Sequence, residues 1–264
     1  MSDYNAKEEK IIEMIESLIR NGVDAELIVS RFESKIFDLK KPELYFWFAK
    51  NVKGIDIESN EQTVIDKIDP EWSYKFARDI AGANIKTHEQ IVINSGDPEW
   101  NYKFARDIAG ANIKTHEQIV INSGDPEWNY KFARDIAGAN IKTHEQIVIN
   151  SGDLEWNYKF AKDIIGADVR AHGRVIINSG DPEWNELFAS NVKGADVRSH
   201  TQIIMDINYR ELNYKFVRDI KGTYGIDKDV DLHNQIESEL ESLDNYLDDA
   251  VASSEKDAPK SMTK

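Results

Sequence analysis

All six histidines of this chain fall at one position of an internal repeat. They are His88, His116, His144, His172, His200 and His233. Histidine is the commonest zinc ligand and the usual general base. Their spacing decides against a shared ion. Neighbouring copies of one position in stacked helical units stand about 10 Å apart, whereas zinc holds each ligand at about 2 Å. The expectation is therefore a packing position: an imidazole at the edge of an apolar face, bonded to the adjacent unit, with no metal and no cofactor.

Glu117 follows His116 and is the second residue type capable of chemistry. Helical geometry sets it between Ile113 and Ile121, inside an apolar stripe. A carboxylate there needs a donor, because burying it bare is costly. Arg106 or His116 of an adjacent hairpin is the expected partner. An acid–base pair would be the sharper reading, but Gly173 and Thr201 stand at the equivalent positions, which suits structural tuning better than catalysis. The tryptophans at 72, 100, 128, 156 and 184 also share one position, where Leu44 and Leu212 stand in the end units. Leucine can fill a core slot but cannot stack on a base or a sugar, so a core role is expected. There is no Gly-rich phosphate loop, nucleophile motif or HExxH.

These residues recur because the chain repeats itself. Residues 97–124 read DPEWNYKFARDIAGANIKTHEQIVINSG, 125–152 repeat that string unchanged, and 69–96 differ only at Ser73. Units 153–180 and 181–208 keep the register, with diverged copies at 41–68 and from 209. Asp97 is a good N-cap, Pro98 fits the first helical position, and Glu99 favours the positive end of the helix dipole. Trp100, Phe104 and Ile108 then share a face, with Ala105 and Ala109 beside them. Gly110 is expected to end this helix in a left-handed conformation. Asn112 caps a second helix, closed by Gly124. Glu99, Lys103 and Asp107 are expected to pair at i,i+4. Each unit is thus an antiparallel helical hairpin. One hairpin buries too little to offset its own ordering, so the hairpins must stack.

The predicted fold class is all-α, an α-solenoid of stacked antiparallel helical hairpins with a 28-residue period. Residues 1–40 form an N-terminal helical cap, 41–226 the tandem hairpins, 227–252 an acidic amphipathic C-terminal helix or cap, and 253–264 a disordered tail. Leu232, Ile236, Leu240, Leu243 and Leu247 form the apolar stripe of that C-terminal helix, through which self-association is possible in principle.

The string resembles a tandem repeat of uncharacterised bacterial and bacteriophage proteins, with variants of FARDIxGANIxxxEQxVIxSGDP, over residues 41–236. The resemblance implies an all-helical, solenoid-like array and carries no activity. The array is more loosely similar to HEAT, armadillo and tetratricopeptide solenoids, which bind other proteins.

Composition narrows the function further. Net charge is −15, and residues 227–249 hold nine acidic residues against one lysine, so the repeats are each near neutral. Such a balance opposes general affinity for nucleic acid. Cysteine is absent, which removes disulfide and thiolate chemistry. The polar opening MSDYNAKEEK is unlike a signal peptide, and no apolar run is long enough for a membrane span. A soluble cytoplasmic protein is expected, one that binds a protein partner and neither membrane nor nucleic acid. The candidate partner-binding row lies on the second helices, pointing away from the apolar stripe: Lys86, Gln90, Lys114, Gln118, Lys142, Gln146, Arg170, Arg174, Arg198 and Gln202. The leading expectation is a non-enzymatic scaffold. An acidic phage or mobile-element inhibitor of a host nucleic-acid-binding or defence protein is the alternative, and an enzyme with a groove site the second alternative.

Overall fold

The computed structural model describes residues 6–206 and Ser238, the side chains of residues 59, 60, 205 and 206 excepted. The acidic stretch 227–252 apart from Ser238, its leucine stripe, His233 and the tail 253–264 lie outside the described residues. All elements among the described residues are helices. The repeats fold as expected, two helices per 28 residues: α6 (Pro70–Asp79) with α7 (Ile85–Ser95), α8 (Pro98–Asp107) with α9 (Ile113–Ser123), α10 (Pro126–Asp135) with α11 (Ile141–Ser151), α12 (Leu154–Asp163) with α13 (Val169–Ser179), and α14 (Pro182–Asn191) with α15 (Val197–Asp206). Ahead of them come α1 (Ala6–Arg20), α2 (Ala25–Asp38), α3 (Pro42–Asn51), α4 (Ile57–Asn60) and α5 (Gln62–Ile65). The chain forms two compact units, Met1–Ile147 and Val148–Lys264, with the boundary inside α11.

Local chemistry sets the helix ends. The Asp97 carboxylate accepts the N–H of Glu99 at 2.9 Å and of Trp100 at 3.4 Å, with Pro98 at the first helical position. Asn112 accepts the N–H of Thr115 at 3.3 Å. Gly124 closes α9 with φ +67°. The first helix stops differently from the expectation. It ends at Asp107, with Ile108 extended as its C-cap, and Gly110 turns two residues later with φ +81°. Ala109 therefore lies past the helix and is exposed rather than on the apolar face.

Within Met1–Ile147, α6 packs on α7 and α8 on α9, and each hairpin packs on the next through α6–α8, α7–α8, α7–α9, α8–α10 and α9–α10. Within Val148–Lys264, α12, α13, α14 and α15 repeat the pattern. Stacked hairpins of this kind are the packing of an α-solenoid. Each hairpin contributes one fully buried phenylalanine, Phe76, Phe104, Phe132, Phe160 or Phe188, and Phe48 holds that place in the diverged copy. Leu44 fills the tryptophan slot there and is fully buried. Ile12, Ile15, Ile28 and Ile36 of α1 and α2 join the same core, although Leu27 is more than half exposed.

The copy at 41–68 departs from the pattern in its second helix, which is broken into α4 and α5 with Glu61 between them. It also closes without glycine. Ile68 takes the left-handed turn at φ +53° where the later copies have Gly96 and Gly124. A β-branched residue is strained there.

Candidate functional site

A polar network lies between successive hairpins, and the histidines are its centre. Asn101, one turn into α8, is fully buried. Its amide donates to the Val92 carbonyl at the end of α7 (2.9 Å) and to the Asp97 carbonyl (2.7 Å). With both amide hydrogens used, Oδ1 is the atom that meets His116 Nδ1, at 2.8 Å. That nitrogen must carry the ring proton. His116 is fully buried and stacks on Phe104, ring centroids 5.2 Å apart. Its other nitrogen faces Glu89 of the preceding hairpin, Nε2 to Oε1 3.2 Å. The same Glu89 oxygen accepts the backbone N–H of Asn112 at 2.6 Å. The next hairpin repeats this with Asn129, His144 and Glu117.

Thus the carboxylate in the apolar stripe does have a histidine of the adjacent hairpin as its partner, but for Glu117 it is His144, since His116 faces Glu89. Arg106 is not involved. Its guanidinium forks onto Asp107 (Nε 2.7 Å, Nη2 2.8 Å) and donates to Tyr102 Oη at 3.1 Å. Asn101 and its equivalents carried no sequence signal beyond being identical in each exact copy. What buries Asn101 is the open carbonyl end of the helix before it.

The pair holds a proton jointly. A neutral imidazole protonated on Nδ1 and an ionised carboxylate would set lone pairs face to face, so one proton lies between Nε2 and Oε1. Burial pulls the imidazole below its ordinary pKa, and Glu89 pushes part of the way back. His144 behaves likewise beside Glu117. His88 departs: Ser73 replaces asparagine, and both Ser73 Oγ and His88 Nδ1 are buried with no hydrogen-bond partner among the described residues, while Nε2 stands 3.3 Å from Glu61.

A second network runs along the first helices of Met1–Ile147. Tyr74 donates to Asp107 and Tyr102 to Asp135, each across one hairpin junction. Arg78, Arg106 and Arg134 each grip the aspartate beside them and the tyrosine one turn back. The arginine fork and the tyrosine bond hold the Asp107 carboxyl below the usual carboxylate range. Asp107 is thus tied to Arg106 and Tyr74, and of the i,i+4 pairs expected on this helix Glu99–Lys103 forms, at 2.6 Å. The same lysine roofs Trp100, 4.0 Å from the ring centroid. Trp100 is half-buried, packed against the core rather than inside it.

The row on the second helices is fully outward. Lys86, Gln90, Lys114, Gln118, Lys142, Gln146, Arg170, Arg174, Arg198 and Gln202 are all exposed. Gln90 and Gln118 donate to Asn94 and Asn122 one turn on, at 2.8 Å each. Among the described residues no three His, Asp or Glu side chains converge to hold a metal, and no helix is long and apolar enough to cross a membrane. No family model, no curated protein and no solved structure matches the chain. The tandem helical repeat rests on its own geometry.

Proposed function

We propose that the chain is a non-enzymatic, cytoplasmic scaffold that binds a protein partner along the exposed row of its second helices, and that its repeat is of the type shared by bacterial and bacteriophage proteins. One observation carries this. In the exact copies the histidines are spent on joining hairpins: His116 and His144 are fully buried, with both ring nitrogens engaged. Among the residues facing solvent in register are the long polar side chains of the row. The pairing of Asp107 and Asp135 with arginines weighs against mimicry of nucleic acid, which needs unneutralised rows of carboxylates.

The test is a quantitative pull-down from the native host with wild type and with the double variant Lys114→Glu, Lys142→Glu. Circular dichroism should show the variant folded as wild type. A polypeptide retained by wild type and lost from the variant supports the row as the docking face. An identical set retained by both contradicts it.

A further inference from the structure

Position 173 breaks the inter-hairpin network within Val148–Lys264. Glu89 and Glu117 face the histidine of the following hairpin; Gly173 stands at their position and has no side chain to do so. His200, the following histidine, is fully buried. Its Nδ1 meets Asn185 Oδ1 at 2.7 Å, and the Asn185 amide donates to the Ile176 and Asp181 carbonyls. The ring proton is therefore on Nδ1, and Nε2 presents a lone pair with no hydrogen-bond partner among the described residues. A Cβ built on Gly173 would stand 3.3 Å from that nitrogen. Beside that buried nitrogen lies a cavity of about 500 Å³ lined by Gly173, Arg170, Arg174, Asp196 and His200.

One further change and one retained group favour an anion. Arg174 replaces the glutamine of the exact copies, so the hairpin that loses a negative charge gains a positive one at the next residue. The backbone N–H of Asp196 corresponds to the N–H groups of Asn112 and Asn140, which the glutamates accept. The Asp196 carboxylate faces the cavity as an opposing charge, but it is engaged with Ser199, accepting from Oγ at 2.7 Å.

We infer that the cavity over Gly173 is a carboxylate-binding site, in which an incoming carboxylate takes the place that Glu89 and Glu117 hold in the earlier hairpins. One oxygen accepts the Asp196 N–H and meets His200 Nε2 through a proton taken up from solvent. Arg170 and Arg174 flank it. The carboxylate is that of a small acid or of an acidic side chain. The site does not depend on the docking row being correct, since it is read without any partner.

The test follows His200 Nε2 by ¹H–¹⁵N correlation in the full chain during titration with sodium acetate, at ionic strength fixed with chloride. Wild type should show a saturable shift. Because binding takes up one proton, affinity should rise about tenfold per pH unit from pH 8 to 6. Gly173→Glu supplies the carboxylate internally and should abolish the response. Arg174→Gln leaves the cavity in place and should weaken acetate about threefold. A hexaglutamate peptide bound about tenfold or more tighter than acetate identifies an acidic polypeptide as the source; equal affinity identifies a small carboxylate. A response that does not saturate, that chloride alone reproduces, or that persists in Gly173→Glu overturns the site.

Discussion

His116 and Glu89, on consecutive hairpins, face each other at 3.2 Å, Nε2 to Oε1. His144 and Glu117 repeat the relationship one hairpin later. The joint between repeats is therefore polar at its centre, although an apolar core surrounds it. Buried polar networks of this kind specify one arrangement, because a slipped alternative leaves several groups unpaired. The histidine, the asparagine and the glutamate work together, which explains why all three recur at 28-residue spacing.

Removing the carboxylate should cost more than neutralising it. Glu117→Ala leaves the Asn140 N–H and His144 Nε2 without their shared acceptor and should destabilise by about 1–3 kcal/mol. Glu117→Gln keeps an acceptor for Asn140 and gives up only the bond to His144, which shares that oxygen. Its cost should stay under about 1 kcal/mol. Urea denaturation at pH 7 compares the two, and equal losses would remove the paired-proton account.

Acid should weaken the fold through His200. Burial lowers its pKa to about 4 from an ordinary value of 6.5, with Asp196 offsetting part of the effect. Between those values the unfolded chain binds the proton and the folded chain does not. Stability contributed by neutral His200 is thus complete above about pH 6.5 and is lost progressively as pH falls toward 4, by about 3 kcal/mol in all. Histidine NMR titration in carboxylate-free buffer should place the His200 midpoint far below that of a free imidazole. An ordinary midpoint would contradict its burial.

Both helix starts and the end of the second helix were legible because they are local, whereas the first helix stops at Asp107, ahead of the turn at Gly110 that was expected to end it. Asp97, Pro98, Asn112 and Gly124 act within a few residues of themselves, and each sits where its chemistry demands. The stacking of hairpins was legible from the repeat. The joint was legible only in part, because it depends on atoms of another hairpin. Asn101 is buried by the Val92 carbonyl nine residues before it, which no helical periodicity reveals. Glu117 was visibly out of place in its stripe, yet its surroundings suggested Arg106 or His116 rather than His144. Trp100 looked like core, but Lys103 covers one face and leaves it half-buried. The row from Lys86 to Gln202 follows from periodicity alone, and all ten of its members are exposed.

Ser73→Asn should complete the network at its first repeat. It supplies His88 Nδ1 with the oxygen that Asn101 and Asn129 give their histidines. Two buried groups now without partners, Ser73 Oγ and His88 Nδ1, would be replaced or satisfied. A gain of about 1 kcal/mol is expected, read as a higher urea midpoint. A loss would show that the broken helix α4–α5 leaves no room for the amide.

Ile68→Gly should also stabilise. The isoleucine holds φ +53° and is 70% exposed, so little packing is lost. Relief of a left-handed β-branched residue should contribute about 1 kcal/mol, partly offset by glycine's freedom in the unfolded chain. Thermal denaturation of the single variant checks the sign.

If the hairpins are interchangeable units joined by one repeated network, a whole period can be removed without leaving a scar. Deleting residues 97–124 joins Gly96 to Asp125 and sets Asn129 against Val92, and His144 and Asn140 against Glu89, as Asn101, His116 and Asn112 are now. Circular dichroism and urea denaturation of that deletion, beside the full chain, test the account most directly. The helical signal per residue should be unchanged and the unfolding midpoint lower, because one interface has gone. Loss of the helical signal would contradict it.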